Sequence, residues 1–350
     1  MSSNRRIAVV LFNLGGPDSP KAIEPFLFNL FFDRNIIDLP GILRWPLAKL
    51  ISSRRAKAAT AIYQAMGGRS PILPNTERQA AALQAILGDL GEVKVFIAMR
   101  YWHPLTEATV AAVKRFQPDE IILLPLYPQF STTTTESSHR VWRDAAKKQG
   151  LDASQKLICC YPSEPGFIAA VAKITAAAIA RAKTKTDAPI RVIFSAHGLP
   201  KKIVDRGDPY VAQVSATVHA VVDKLGLAAS EWMVAFQSRV GPLEWVGPPT
   251  DHAIEEAAGA GKAVIVVPIA FVSEHSETLV ELDIEYRHLA EKRGAAVYER
   301  APTVSEDPDF IAGLAELVRK ALTQPQRVQP GTGAGVCADW PRCACQQEEL

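Results

Sequence analysis

The stretch PIAFVSEHSETLVELDIEY, Pro268 to Tyr286, sets Glu274, Glu277, Glu281 and Glu285 directly behind an apolar run with the character of a buried strand. If a helix starts near Ser273, the four acids fall at i, i+3, i+7 and i+11 on one face. The helix dipole favours acids in a first turn, which accounts for Glu274 and Glu277. It does not account for Glu281 and Glu285, which repel their neighbours on the same stripe, and no lysine interleaves before Arg287. A carboxylate stripe leading away from a strand tip can pass cations or protons along it. A second strand-like run, VIFSAHGLP, ends on His197, held between an apolar strand and Gly198 and Pro200. An imidazole there can accept a proton or bind a divalent metal, although a loop histidine serves structure as readily. His197 and Glu277 together can share one divalent cation. Two protein ligands make a weak, open site, which suits delivery of a metal better than its storage.

Positive and apolar groups collect in the first half of the chain. YQAMGGRSPI carries Arg69 behind a Gly-Gly turn, and AMRYWHP sets Arg100 and Tyr101 at a strand end, where a guanidinium can hold a carboxylate. The hydroxyl run STTTTESS reads either as an anion or metal-water loop or as a helix cap. Residues 19–55 are rich in Phe, Leu, Ile and Trp and end on basic residues. Buried helices explain that segment as well as an apolar lip that touches lipid and admits a flat, greasy ligand.

These groups need a frame, and the hydropathy pattern supplies one. Apolar runs of strand length alternate with alanine-rich helical segments, the pattern of parallel sheets covered on both faces by helices. The second half echoes the first. RIAVVLFNLGGP matches IRVIFSAHGLP, VKVFIAMRYWHPL matches WMVAFQSRVGPL, EIILLPLYPQFSTTTTES matches AVIVVPIAFVSEHSETL, and CYPSEPGFIAAVA matches APTVSEDPDFIAGLA. Four matches in the same order imply two Rossmann-like α/β domains related by pseudo-symmetry, each with a four-stranded parallel sheet and with a cleft between them. The expected division is 1–154 and 155–305, with a terminal helix in 306–325 packing back on the first domain and a Gly-rich linker and cysteine tail in 326–350. Ligands of such sheets sit beyond the carboxyl ends of the strands, where His197, Arg100, Tyr101 and the acidic run fall.

The composition excludes several classes. A net charge of +2 gives no electrostatic case for nucleic-acid binding. FNLGGP lacks the three-glycine spacing of a dinucleotide fingerprint. The apolar run at the N-terminus is short and breaks into Gly-Gly-Pro, so a first strand is expected and not a signal peptide. Five cysteines, two adjacent and three crowded at the end, do not resemble a secreted disulfide framework, and the cytoplasm is the expected compartment. Cys337, Cys343 and Cys345 are one thiol short of a four-ligand site, and Cys159 or Cys160 offers the fourth.

NLGGPDS, FLFNLFFDRNIIDLP, YQAMGGRSPI, AMRYWHP, LPLYPQFSTTTT, FSAHGLP, FQSRVGPLEWVGP and PIAFVSEHSETLVELDIEY, in this order, resemble the ferrochelatases, enzymes that insert ferrous iron into a porphyrin to make haem. SAHGLP with SEHSETLVELD is the most specific part of the match. The resemblance implies two chelatase-type domains, with His197 and Glu277 as the catalytic and metal-site pair. It implies Glu274, His275 and Glu281 as neighbours in an acidic channel, and Arg69, Arg100 and Tyr101 as substrate contacts. Protoporphyrin IX and ferrous iron are the expected substrates, with the lip touching the inner face of the membrane. Coproporphyrin, a non-catalytic tetrapyrrole- or metal-binding protein, and a homodimer stay open. Some ferrochelatases hold a 2Fe-2S cluster on three C-terminal cysteines and one internal cysteine. This resemblance makes Cys337, Cys343, Cys345 and one of Cys159 or Cys160 the expected ligands.

Overall fold

The computed structural model describes residues 5–239, 243–331 and 342–346. It forms two compact α/β units. The first gathers the chain up to Cys160 with Leu314–Gly331 and the segment from Cys343, and the second centres on Tyr161–Gly313.

The first unit holds β1 (Arg6–Asn13), β2 (Glu92–Met99), β3 (Glu120–Pro125), β4 (Ser154–Ile158) and β9 (Val328–Gln329) in the order β2-β1-β3-β4-β9, all parallel. The second holds β5 (Ile190–His197), β6 (Trp232–Gln237), β7 (Ala263–Pro268) and β8 (Val297–Arg300) in the order β6-β5-β7-β8, also parallel. Leaving β9 aside, each strand of one unit has a counterpart at the same place in the other sheet, and each matched pair of sequence segments closes such a pair of strands. Both β3 (EIILLP) and β7 (AVIVVP) are buried at every residue, as expected for central strands with helices on both faces.

The sequence led to four strands in the first sheet, and the structure has five. β9 is two residues long, too short to show any periodicity, and lies in the segment expected to be a linker. The first unit runs to Cys160, past the expected boundary, and the terminal helix spans Pro308–Thr323 with its residues from Leu314 onward in the first unit. Among the described residues, the helix Pro165–Lys183 alone is long and apolar enough to cross a membrane, but half of that stretch is buried, with Phe167, Val171 and Ala178 in the core.

The same helix shows how tightly the second unit is packed. Glu164 caps it by accepting a hydrogen bond from the Phe167 amide at 2.6 Å, which satisfies one of the open donors at the helix start. A Cβ at Gly313 would stand 2.1 Å from Glu164 Oε2, so the cap and the last helix meet with no room for a methyl group. Gly313→Ala is expected to displace the capping carboxylate and to destabilise the protein by about 1–3 kcal/mol in urea unfolding, the range for overpacking and loss of a cap.

Candidate active site

His197 is the last residue of β5, and Glu277 is the first residue of a π-helical segment, Glu277–Glu285. His197 Nδ1 lies 2.8 Å from Glu277 Oε2. The two residues are 80 positions apart and meet because β5 and β7 are neighbours in the sheet, with Ser195 level with Pro268 at the end of β7. Nδ1 is thus the ring nitrogen that Glu277 engages.

The pair is electrostatically coupled. Desolvation alone would lower the His197 pKa, but the Glu277 carboxylate, helped by Glu281, outweighs it and raises the imidazole above 6.5. Desolvation likewise pushes Glu277 up, and the positive imidazolium overcomes it and holds the carboxyl well below its usual range. Glu281 goes the other way. Burial and then the charge of Glu277 raise its pKa, the result expected when a second acid is placed beside one already ionised.

Glu281 accepts hydrogen bonds from the Ser238 amide at 3.0 Å, the Ser238 hydroxyl at 2.5 Å, Gln237 Nε2 at 3.2 Å and the Tyr286 hydroxyl at 3.1 Å. Gln237 is held in turn by Ser195, whose hydroxyl donates to its Oε1 at 2.8 Å. Ser238 stands directly after β6, with φ +64°. A pocket of about 540 Å³ has Ser238, Glu281, Tyr286, Arg239, Asp251 and Trp245 in its wall.

The expected stripe of four acids is thus only partly realised. The helical segment begins at Glu277 and not near Ser273, and it is π-helical, with wider turns bonded i to i+5 that keep residues four apart nearly in line. Glu277, Glu281 and the exposed Glu285 follow that spacing. Glu274 stands ahead of the segment and is engaged by Arg300 at 2.9 Å and by the Thr303 amide at 3.0 Å. Asp283 shares Arg300 at 3.3 Å. His275 is buried against Phe271 and bonds through Nδ1 to the Ser273 carbonyl at 3.0 Å.

In the first unit, Arg100 and Tyr101 follow β2 and converge on a residue the sequence did not single out. Asp33 is fully buried at its side chain and accepts from Arg100 at 2.8 Å, Arg140 at 2.9 Å, the Tyr101 hydroxyl at 2.9 Å and the Ser137 hydroxyl. Its burial raises the carboxyl pKa, but Arg100 and the hydrogen bonds win and lower it. Tyr101 is 1% exposed, so its phenol belongs to this buried network. Arg69 is exposed, between Gly68 and Ser70. An acid closing the apolar run FLFNLFFD was the one signal for Asp33 in the sequence. In residues 19–55, Ile23, Phe26 and Leu27 pack on Tyr63 and Tyr101, whereas Ile42, Leu43 and Trp45 are 87%, 56% and 55% exposed. One face of the segment is therefore core and the other is an apolar surface.

The thiols of Cys159, Cys343 and Cys345 lie within 4.8 Å of one another. Cys160 Sγ is 3.7 Å from Cys159 Sγ, and Cys343 Sγ is 3.4 Å from Cys345 Sγ, so none of these cysteines is in a disulfide. Cys337 lies outside the described residues.

The family model for ferrochelatase matches residues 6–322. The chain belongs to the ferrochelatase family. Ferrochelatases of Caulobacter vibrioides (strain NA1000 / CB15N) and Phenylobacterium zucineum (strain HLK1) are 52% and 51% identical to it, over 98% and 97% of this chain and 98% of each relative. That of Rickettsia bellii (strain OSU 85-389) is 46% identical over 98% of this chain and 96% of its own. SirB from Bacillus subtilis, in a structure with Fe3+, shares the fold at 12% identity, with a TM-score of 0.51 over 91% of this chain and 96% of its own. The reaction of the family, insertion of iron into a porphyrin during haem synthesis, requires a group for the iron and a group for the displaced pyrrole protons. A coupled imidazole and carboxylate can supply both.

The coupling has a measurable sign. In ¹⁵N-histidine NMR, His197 is expected to titrate above 6.5 in the wild-type protein. In Glu277→Gln it should fall below that value, because desolvation remains when the attraction is gone. The ion pair correspondingly stabilises the fold most above the ordinary glutamate pKa of 4.5 and below 6.5, and its contribution fades as pH rises through the raised His197 pKa. An unchanged imidazole titration in Glu277→Gln would show that the two groups are not coupled.

Proposed function

We propose that this chain inserts ferrous iron into protoporphyrin IX, giving protohaem and two protons, with His197 and Glu277 as the catalytic pair. The observation that carries the reading is the 2.8 Å contact between His197 Nδ1 and Glu277, which leaves Nε2 for chemistry. A free-base porphyrin carries two pyrrole N–H protons, and both leave as the iron enters. Above its pKa the imidazole is neutral, and its Nε2 lone pair can take a pyrrole proton or hold the incoming iron. Glu277 stabilises the imidazolium in the first case and shares the cation in the second. Glu281 and Glu285, spaced along the π-helical segment, offer the iron or the released protons further carboxylates between the pair and solvent. No nucleotide is needed.

Protoporphyrin is favoured over coproporphyrin by the apolar surface at Ile42, Leu43 and Trp45, which suits the less charged macrocycle. That surface, with Lys49, Arg54, Arg55 and Lys57 in the same helix, Gly41–Gln64, also suits contact with an anionic membrane from the cytoplasmic side. Arg100 is the favoured group for a substrate carboxylate, being 14% exposed at its side chain and fixed by Asp33. A non-catalytic carrier of tetrapyrrole or metal would have no use for an imidazole tied to an acid with further acids behind it.

The thiol group suits a 2Fe-2S cluster, which would be held by four thiolates. Cys159, Cys343 and Cys345 would be three of the ligands, with Cys337 the expected fourth. Of the adjacent pair, Cys159 is the one grouped with the tail thiols. Such a cluster would supply redox-active iron held apart from the substrate iron. Cys159→Ala is expected to abolish the visible absorption of the anaerobically purified protein, and Cys160→Ala to keep it. The reverse pattern would make Cys160 the ligand, and a colourless wild-type protein would leave the tail without a cluster.

Porphyrin fluorescence tests the reaction itself. In the wild-type protein it should be quenched as ferrous iron is inserted, or shift to the emission of the zinc porphyrin as zinc is inserted, faster with protoporphyrin than with coproporphyrin. His197→Ala should still bind porphyrin while insertion slows by about a hundredfold or more, the usual scale for loss of a general base. Full activity in that variant would remove His197 from the chemistry, and porphyrin binding with no metalloporphyrin formed by the wild type would favour a carrier.

A further inference from the structure

We propose that Ser238 is a positioning residue for the reaction, holding the Glu281 carboxylate between the open pocket and the His197–Glu277 pair and releasing it to an incoming cation. This rests on the reading of that pair as the metal-handling site. The backbone of Ser238 is left-handed, φ +64°, a conformation that glycine adopts freely and serine rarely. That turn points two donors of one residue at one carboxylate, the amide at 3.0 Å from Oε1 and the hydroxyl at 2.5 Å from Oε2.

With Gln237 and Tyr286 added, Glu281 accepts from four donors. A carboxylate so fully engaged cannot also bind a cation until a donor withdraws. The Ser238 hydroxyl is the donor best placed to do so. Its oxygen also lies 3.4 Å from Glu277 Oε2, and its single hydrogen can serve one carboxylate at a time. Rotation about one side-chain bond turns it from Glu281 towards Glu277, which opens Oε2 of Glu281 and leaves no donor unpaired. A hydrated divalent cation can reach that oxygen from the pocket of about 540 Å³, whose wall includes Ser238, Glu281 and Asp251. Neither Gln237, held by Ser195, nor the Ser238 amide, fixed in the backbone, has this freedom.

The test uses zinc insertion, with initial rates measured against zinc and against protoporphyrin separately. Ser238→Ala removes the hydroxyl and keeps the strained backbone; Ser238→Gly removes the hydroxyl and relieves it. Both remove the donor that competes with the cation for Glu281 Oε2, and are expected to lower the apparent KM for zinc about tenfold, the scale of a hydrogen bond to a charged group, with the KM for protoporphyrin unchanged. Glu281→Gln should raise it, and the double variant Ser238→Ala/Glu281→Gln should match Glu281→Gln alone, because the serine acts through the glutamate. An unchanged zinc KM in both Ser238 variants would overturn the proposal. So would wild-type behaviour of Ser238→Gly beside a changed zinc KM in Ser238→Ala, which would assign the effect to backbone strain, or a parallel change in both KM values, which would make the role structural. His197→Ala in the same assay separates the two levels. Activity surviving there would unseat the metal-handling reading, whereas an inactive His197→Ala beside unaffected Ser238 variants would unseat the role of Ser238 alone.

Discussion

A histidine and a glutamate 2.8 Å apart, both drawn partly out of water, are stable only if the surrounding structure keeps them together. Parallel register does most of this. β5 lies between β6 and β7, so the end of β5 has the Gln237–Ser238 turn on one side and the start of the acidic segment beyond β7 on the other. All three strand ends carry polar groups that bond to one another, and few are left to compensate at a distance. The imidazole is held basic by the carboxylate and the carboxylate ionised by the imidazole, so neither property belongs to one residue. Shifting β5 by one position would turn His197 to the other face of the sheet and dismantle both.

Much of this could be read from the sequence because it depends on strand ends. Buried parallel strands are marked by runs such as AVIVVP, and ligand-facing groups must follow them, so His197 and Glu277 stood out at once. The repeated segments carried the correspondence between the two sheets too. What escaped notice depends on features without a sequence period. The helical segment starts at Glu277, which leaves Glu274 outside it, and Arg300, 26 residues later, takes that carboxylate. Ser238 matters through a left-handed backbone that a serine codon does not announce. Asp33 matters because groups 67 to 107 residues away converge on it, which is a property of the fold and not of the segment FFDRN.

The cysteine tail shows how small a backbone feature can govern a site. β9 pairs with β4 through only two residues, yet the Cys159 amide donates to the Gln329 carbonyl at 3.0 Å and the Gly331 amide to the Cys160 carbonyl at 2.7 Å. These bonds fix the end of the terminal segment beside the adjacent cysteines, and Cys343 and Cys345 then lie near Cys159. Spacing in the sequence could count the thiols but could not choose between two neighbours, because successive residues in extended chain point to opposite sides. The choice between Cys159 and Cys160 is therefore one of side-chain direction.

The two units also differ in the sign of their buried charge, and the difference has chemical consequences. Around Asp33, two guanidiniums meet one carboxylate, and the excess is positive. Around His197, two carboxylates meet one imidazole, and the excess is negative even when the ring is protonated. The negative excess has a cost within its own unit, visible in the opposite displacement of Glu277 and Glu281: the acid nearer the imidazole stays ionised and the one behind it becomes harder to ionise. A divalent cation arriving from solvent relieves that repulsion. On the proposed reading, the site would attract its metal through the strain of two neighbouring acids, and a second positive group built in permanently would remove the attraction together with the strain.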